Sequence, residues 1–131
     1  MPDYSKLELA KYRLEKAREC YADAVSTFES GSLSNAANRI YYSIFHAMRA
    51  VLALDEFDSK KHSGIISEFR KTYIKTGVFD VKFSETIEFG LKLRGKSDYD
   101  DFYVIPKADV AKQIDDSIVF LDAVERFIEA Q

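Results

Sequence analysis

The stretch "NRIYYSIFHAMRAVL", residues 38–52, decides the fold of this chain. Placed on a helix at about 100° per residue, its apolar side chains cover well over half of the circumference. A helix of this kind is buried on most sides, so the stretch predicts the central helix of a bundle. A narrow stripe of polar and small residues is left over. It contains Arg39 and His46, which lie roughly two helical turns apart.

Helical spacing continues on both sides of this stretch. The apolar pattern predicts helices over about residues 5–29, from Ser32 or Ser34 to about Leu54, over 61–75 and 85–96, and a last one that begins near Pro106. Gly31 and Gly77 fall where helices end, and residues 55–59 and 97–106 are expected to form loops. We therefore predict an all-α fold: an up-and-down antiparallel bundle of four long helices plus one shorter helix, in a single domain over residues 1–131.

The composition excludes several classes of protein. The chain has 131 residues, 47% of them hydrophobic and 31% charged, which is typical of a globular domain with its own core. Cys20 is the only cysteine, so no internal disulfide is possible and a reducing cytoplasm is the expected location. No apolar run approaches the roughly 20 residues of a membrane span, and no signal peptide is visible.

Charge is distributed unevenly along the chain, although the net charge is only −3. Residues 59–96 contain nine Lys and Arg against four Asp and Glu, whereas residues 97–131 contain three against nine. Such a division can steer a phosphate-bearing partner toward one side of a protein. It is also what a solvated basic helix beside a solvated acidic helix would show.

The stripe around Arg39 and His46 has three possible explanations. Its members within about 40° of the line are Asn35, Ser43, Ala50 and Ala53, with Tyr42 at one edge. The two basic groups are solvated, or they are buried against the acidic residues 98–101 in a structural network, which would offset the cost of burying a charge. Alternatively the stripe lines a cleft, where Arg39 binds phosphate and His46 transfers protons.

Other polar residues are weaker candidates for a site. Lys60 and Lys61 are candidates for contact with an RNA backbone. His62 is interpreted as a surface histidine at a helix start rather than as a second phosphate contact. The acidic residues 98–101 are expected to cap helices or to pair with basic groups. We predict no metal site and no cofactor, because the two histidines and the cysteine are far apart in sequence.

The chain resembles the HEPN domain family, and most closely its small stand-alone prokaryotic members. The resemblance depends on "NRIYYSIFHAMRAVL" at 38–52, "KKHSGIISEF" at 60–69, "KTG" at 75–77 and "LRGKSDYDDF" at 93–102. It implies an up-and-down helical bundle that forms a homodimer. In many members an Arg-x(4–6)-His motif is a metal-independent ribonuclease centre in the cleft between two protomers, and Arg39 and His46 fit that spacing.

The resemblance implies a chemistry for these residues. His46 would move protons at the ribose 2′-hydroxyl and the leaving 5′-oxygen, while Arg39 would stabilise the phosphorane, giving 2′,3′-cyclic phosphate and 5′-hydroxyl ends. Small and polar residues on the stripe would let a second protomer approach closely. As residues that bind substrate we nominate Asn35, Tyr42, Ser43, Lys60 and Lys61.

The chain departs from the family pattern at two points. Many nuclease members have a polar residue after the arginine, where this chain has Ile40. Some HEPN proteins pair with a small nucleotidyltransferase that modifies a tyrosine just beyond the histidine, where this chain has Ala47, Met48 and Arg49. We expect the RNA-cleaving toxin or defence component of a two-component module. The alternative is a non-catalytic dimer that binds a nucleotide or a nucleotidyltransferase partner.

Overall fold

A computed structural model of the chain describes residues 2–99 and 104–131, and the side chains of residues 5–96 and 104–131. Within these ranges the secondary structure is helical and contains no strand. The helices are α1 (Pro2–Glu29), α2 (Leu33–Ala53), α3 (His62–Phe69), which a π-helical segment continues (Arg70–Ile74), α4 (Lys82–Tyr99) and α5 (Lys107–Glu129). Four are long and α3 is short, so the predicted all-α bundle is confirmed. No helix in the described ranges is long and apolar enough to cross a membrane.

Helix α2 is the centre of the bundle. It contacts α1, α3, α4 and α5. Its side chains are buried on nearly every turn, and Ile40, Met48 and Leu52 are fully enclosed. This burial follows from the wide apolar arc of the sequence and confirms the prediction that α2 is the central helix. The remaining stripe lies at the edge where α2 packs against α1.

The turn between α1 and α2 brings polar groups of α1 beside this stripe. Gly31 has a φ of +84°, the left-handed conformation that glycine adopts without strain. The amide of Ser32 donates to the carbonyl of Thr27 (2.9 Å) and that of Gly31 to Phe28 (3.0 Å), which is the Schellman pattern at a helix end. The chain therefore reverses sharply, and α1 runs antiparallel to α2. Gly31 was correctly predicted as a helix stop.

Two helix starts differ from those predicted. Helix α1 begins at Pro2, three residues before the predicted start at about residue 5. Helix α4 covers Lys82–Tyr99 rather than 85–96. Its start is fixed by Asp80, whose Oδ1 accepts the backbone N–H of Lys82 at 2.8 Å. Part of the loop expected over 97–106 is therefore helix, and residues 100–103 lie outside the described ranges.

The third predicted helix has the expected length, but part of it is not a regular α-helix. After Phe69 the backbone adopts a π-helical form, in which the amide of Lys75 donates to the carbonyl of Arg70 at 2.9 Å. The hydroxyl of Tyr73 in this segment donates to Asp55 at 2.6 Å. Periodicity alone does not reveal one extra residue per turn, so the sequence predicted a regular helix. Gly77, at a φ of +83°, follows the segment.

An aromatic cluster holds α5 against the rest of the bundle. Phe120 on α5 is fully buried, with its ring centroid 5.1 Å from that of Phe83 and 5.7 Å from that of Phe69. Aromatic pairs at these separations add to the free energy gained by burial. The cluster lies away from Arg39 and His46, so it supports the fold without contributing to the stripe.

We expect Phe120→Ala to lower the free energy of unfolding by about 3–5 kcal/mol, because it leaves a cavity at the centre of this cluster. The matched control is the neighbouring Val119→Ala, since Val119 is 43% exposed. The control should change the free energy by less than about 0.5 kcal/mol. Urea unfolding followed by circular dichroism measures both. Equal losses in the two variants would contradict this account of the core.

Candidate functional site

Arg39 is held in place by a neighbour that the sequence did not suggest. Its Nε and Nη2 atoms donate to Oδ1 of Asn38 at 3.2 and 2.7 Å. Its guanidinium carbon lies 5.3 Å from the centre of the Tyr42 ring. Asn38 points along a different face of the helix, but the long arginine side chain reaches it. Among the described residues Arg39 has no carboxylate partner, so its remaining donors and its full charge are available to an anion.

His46 is a half-buried histidine kept in its neutral form. Burial, followed by the charges of Arg49, Lys16, Arg13 and Arg39, lowers its pKa to about 4. Its Nδ1 atom is buried and has no hydrogen-bond partner among the described residues. At neutral pH the imidazole is therefore a proton acceptor.

The positive charges around His46 come from two helices. Asp58 accepts hydrogen bonds from Arg13 of α1 (3.3 Å) and from Arg49 of α2 (3.1 Å), and Arg13 also donates to the backbone carbonyl of Arg49 at 3.2 Å. Burial would raise the pKa of Asp58, but bonds from the Ser59 amide and from Arg49 lower it. One carboxylate thus fixes two arginines and neutralises only part of their charge.

Arg13, Lys16 and Arg49 were not predicted as site residues from the sequence. Arg13 and Lys16 belong to α1, and only the α1–α2 turn brings them near His46. Their spacing on α1 was a possible signal, because residues three apart share a helix face. Arg49 lies on α2, three residues after His46.

Tyr42 lies at the centre of a larger basic and aromatic surface. Its ring centre is 5.3 Å from the guanidinium carbons of both Arg39 and Arg94, 5.7 Å from the ring of His62 and 6.1 Å from that of His46. The ring is half-buried. Tyr42 therefore connects the stripe on α2 with residues of α3 and α4.

His62 is not the surface histidine that the sequence analysis favoured. It is half-buried, with its ring centroid 4.1 Å from that of Phe45 and its Nδ1 3.0 Å from the hydroxyl of Tyr41. Burial lowers its pKa, and the charges of Arg94 and Arg49 lower it further. The short loop after α2 folds α3 back onto the aromatic residues of α2, which explains the packing. Tyr41 and Phe45 are both buried.

Some nominated stripe residues lie inside the chain. Ser43 is fully buried and its hydroxyl donates to the carbonyl of Ile40 at 2.7 Å, so within the protomer it is not available to a substrate. Ala50 and Ala53 are also buried in the core and cannot provide the close approach between protomers that we expected. The physical reason is that α1 covers this part of the small-residue stripe.

The other nominated residues are exposed but lie at the margins. Asn35 is in the first turn of α2, and its amide donates to the Ser32 hydroxyl at 2.8 Å. Lys60 and Lys61 lie in the loop before α3, next to His62 in the chain. None of the three contacts Arg39 or His46 directly. Their contact with substrate stays a prediction.

The acidic network proposed for residues 98–101 falls outside the described side chains. Within the described ranges no group of three or more His, Cys, Asp and Glu residues is arranged to hold a metal ion. Cys20 of α1 is half-buried near Arg39. Burial raises the pKa of this thiol although the arginine lowers it, so Cys20 stays protonated at neutral pH and is a poor nucleophile.

The fold and the site together define a class of protein: a helical bundle whose central helix carries a stripe with an arginine and a histidine. Comparison with known families matches residues 10–129 to the HEPN domain. The chain therefore belongs to the HEPN domain family, as the resemblance predicted.

Three relatives match over most of their length. A UPF0332 protein of Thermotoga maritima is 31% identical over 124 residues, which cover 95% of this chain and 94% of the relative. The Methanocaldococcus jannaschii protein named "Putative toxin MJ0142" is 32% identical over 123 residues, covering 94% of this chain and 83% of that protein. A UPF0332 protein of Archaeoglobus fulgidus is 28% identical over 116 residues, covering 88% and 92%.

The cause of the low His46 pKa can be tested by measuring the titration of this residue directly. We expect the imidazole resonances of His46 to titrate with a midpoint of about 4 in an NMR pH series. Arg49→Gln should raise this midpoint, because it removes a positive charge that disfavours the protonated ring. The rise should be partial, since burial remains. Lys11→Gln, an exposed site on another face of α1, is the control and should leave the midpoint unchanged. A wild-type midpoint near 6.5 would contradict the described environment.

Proposed function

We propose that the protein is a metal-independent ribonuclease, the toxin or defence component of a two-component module, with Arg39 and His46 at a homodimer cleft. One observation supports this most strongly. Among the residues whose side chains are described, Arg39 has no carboxylate partner, and the neutral, half-buried His46 lies on the same stripe. Structural roles usually give such groups a carboxylate partner, whereas phosphate chemistry requires that they remain available.

The residues suit cleavage by the RNA's own 2′-hydroxyl. Neutral His46 accepts the 2′-hydroxyl proton while the 2′-oxygen forms a bond to phosphorus. Arg39 stabilises the negative phosphorane with its planar donors. The P–O5′ bond then breaks, and the second histidine of the dimer gives its proton to the leaving 5′-oxygen. The products are a 2′,3′-cyclic phosphate and a 5′-hydroxyl, and no metal takes part.

Exposed apolar residues near the stripe support the homodimer. Leu9 and Tyr12 on α1 are 41% and 56% exposed. The Tyr12 ring contacts the ammonium of Lys16, at 5.7 Å from the ring centre. Lys16 in turn is one of the cations that lower the pKa of His46. An apolar margin beside a charged centre suits an interface between two copies. The single half-buried cysteine fits action on RNA in the cytoplasm.

A second candidate is a non-catalytic HEPN dimer that binds a nucleotide or a nucleotidyltransferase partner. The observation that favours it is Ile40, which follows Arg39 and is fully buried, so it contributes no polar group. In the ribonuclease proposal Asn38 takes over the task of orienting Arg39. The two candidates therefore differ in whether RNA is cleaved.

The first test is cleavage of several RNAs in EDTA. We expect the wild-type protein to cleave and leave 2′,3′-cyclic phosphate ends. His46→Ala and Arg39→Ala should each reduce the rate by about 100-fold or more, because each removes a group that acts in the transition state. Lys11→Ala, purified in the same way, should cleave normally. Loss of cleavage in the two site variants but not in this control would exclude a contaminating nuclease. If a confirmed wild-type dimer cleaves none of the RNAs, the ribonuclease proposal fails and the binding module is preferred.

The pH profile tests the two-histidine mechanism separately. The free enzyme needs one neutral and one protonated histidine, and kcat/KM reports the free enzyme. With a pKa of about 4 for His46, the protonated fraction grows as the pH falls. We expect log kcat/KM to rise by about one for each pH unit between pH 7.5 and 5. A flat profile over this range would mean that His46 acts only as a base, and a fall below pH 6.5 would contradict its low pKa.

A further inference from the structure

A second basic surface lies on the other side of Tyr42. A groove of about 570 Å³ separates α3 and its π-helical segment from α4. Its lining includes four fixed positive charges, on Arg70, Lys71, Lys75 and Arg94, together with His62, and among the described residues no carboxylate lines it. A groove with this charge attracts an extended anion.

The π-helical segment aligns the polar groups along one wall. Ser63, Ser67, Lys71 and Lys75 follow one another at intervals of four residues, and all four line the groove. In a regular α-helix each such step turns about 40° beyond a full turn, so the row would wind away. The wider π-helical turn needs more residues per turn and reverses this drift. The step from Ser63 to Ser67 is α-helical, whereas the π-helical segment Arg70–Ile74 keeps Lys71 and Lys75 on the same wall of the groove.

The charges of this wall are available to a ligand. Lys71 pairs with Glu68 at 3.4 Å, but its side chain is 71% exposed. Arg70 pairs with Glu88 at 2.9 Å, and the Glu88 side chain is 57% exposed. The other side chain of each pair is partly buried, with Glu68 25% and Arg70 31% exposed. Because one partner of each pair is well solvated, the pair contributes little free energy and an incoming phosphate can compete with it. Lys75 is exposed and makes no ion pair with any described residue.

The groove is continuous with the Arg39–His46 stripe. Arg94 lines the groove, and its guanidinium carbon lies 4.7 Å from the Tyr41 ring centre and 5.3 Å from that of Tyr42. Tyr42 in turn borders Arg39 at 5.3 Å. Tyr41 is buried, but Tyr42 is only half-buried. Cations beside an accessible aromatic ring are the pattern that binds single-stranded nucleic acid, where phosphates meet the charges and a base stacks on the ring.

We propose that this groove binds the phosphodiester backbone of single-stranded RNA on one side of the scissile phosphate. Arg94 and Tyr42 lead the strand from the Arg39–His46 stripe, and Lys71 and Lys75 hold phosphates farther along. The groove thus serves as a second subsite, which favours RNA long enough to occupy both. This inference rests on the proposed function for its substrate, but its test does not depend on cleavage.

The test measures binding of a fluorescent 12-nucleotide 2′-O-methyl RNA, which lacks the 2′-hydroxyl needed for cleavage. Fluorescence anisotropy gives Kd over a range of salt concentrations. For Lys71→Ala/Lys75→Ala we expect about tenfold weaker binding at low salt. The slope of log K against log salt should fall by about 1.4, since each phosphate contact to a single strand contributes about 0.7. The matched control is Lys11→Ala/Lys92→Ala, which loses the same charge outside the groove and should bind as the wild type does.

Two further binding measurements identify the class of ligand. A 3-nucleotide 2′-O-methyl RNA, too short to reach the lysines from the stripe, should bind equally to the wild type and the groove variant. Poly-L-glutamate should compete poorly, because it lacks bases that stack. If it competes as well as the 12-nucleotide RNA, the groove is a site for an acidic polypeptide and the proposal is overturned.

The outcomes separate this proposal from the ribonuclease. If Kd and the salt slope are unchanged in Lys71→Ala/Lys75→Ala, the proposed RNA site in the groove is overturned, even if the wild-type protein cleaves RNA. If the slope falls in a protein that cleaves no RNA, the RNA site is supported and the proposed ribonuclease activity is overturned. If the wild type binds no RNA, the proposed RNA site is overturned. Circular dichroism confirms that the variants are folded.

Discussion

The burial of α2 on nearly all sides is the constraint on which the rest of the structure depends. Four helices pack around it, and each contact covers part of its apolar arc. What remains is one narrow edge, and Arg39 and His46 lie there. The position of Arg39 and His46 is therefore a consequence of the packing. Any change that rotates α2 would move both groups into the core, where an unpaired charge is costly.

The concentration of positive charge at this edge opposes folding unless something else compensates. Asp58 compensates in part by fixing Arg13 and Arg49. His46 does so by remaining neutral, as its pKa of about 4 indicates. Arg39 keeps its charge and has only the amide oxygen of Asn38 as a polar partner among the described residues. This residual charge is a local cost to stability, and an anionic ligand would remove it.

The sequence predicted the helices and the central role of α2 because burial leaves a clear periodic pattern. It also predicted the stop at Gly31, since glycine favours the left-handed conformation found there. It did not predict the start of α4 at Lys82, because periodicity does not show that the Asp80 side chain will accept the first backbone N–H of the helix. It missed the π-helical turn after Phe69, because the apolar residues of that segment fit a regular helix almost as well.

The candidate site was only partly predictable for a related reason. Arg39, Tyr42 and His46 share one helix, so their proximity follows from spacing alone. Arg13 and Lys16 come from α1, and Arg94 and His62 from α4 and α3. Their approach depends on how the helices fold back, which periodicity does not specify. Ser43 was misplaced because a helical wheel shows direction but not which neighbour covers that direction.

The same electrostatics link substrate binding to proton transfer in the proposed ribonuclease. The cations that attract a phosphate also keep His46 unprotonated in the free protein. A bound phosphodiester places a negative charge among them and stabilises the imidazolium form. The growing charge of the phosphorane stabilises it further. His46 therefore holds a proton more readily once RNA is bound. A histidine that is almost entirely unprotonated in the free protein at neutral pH can then carry the proton that it donates to the leaving 5′-oxygen.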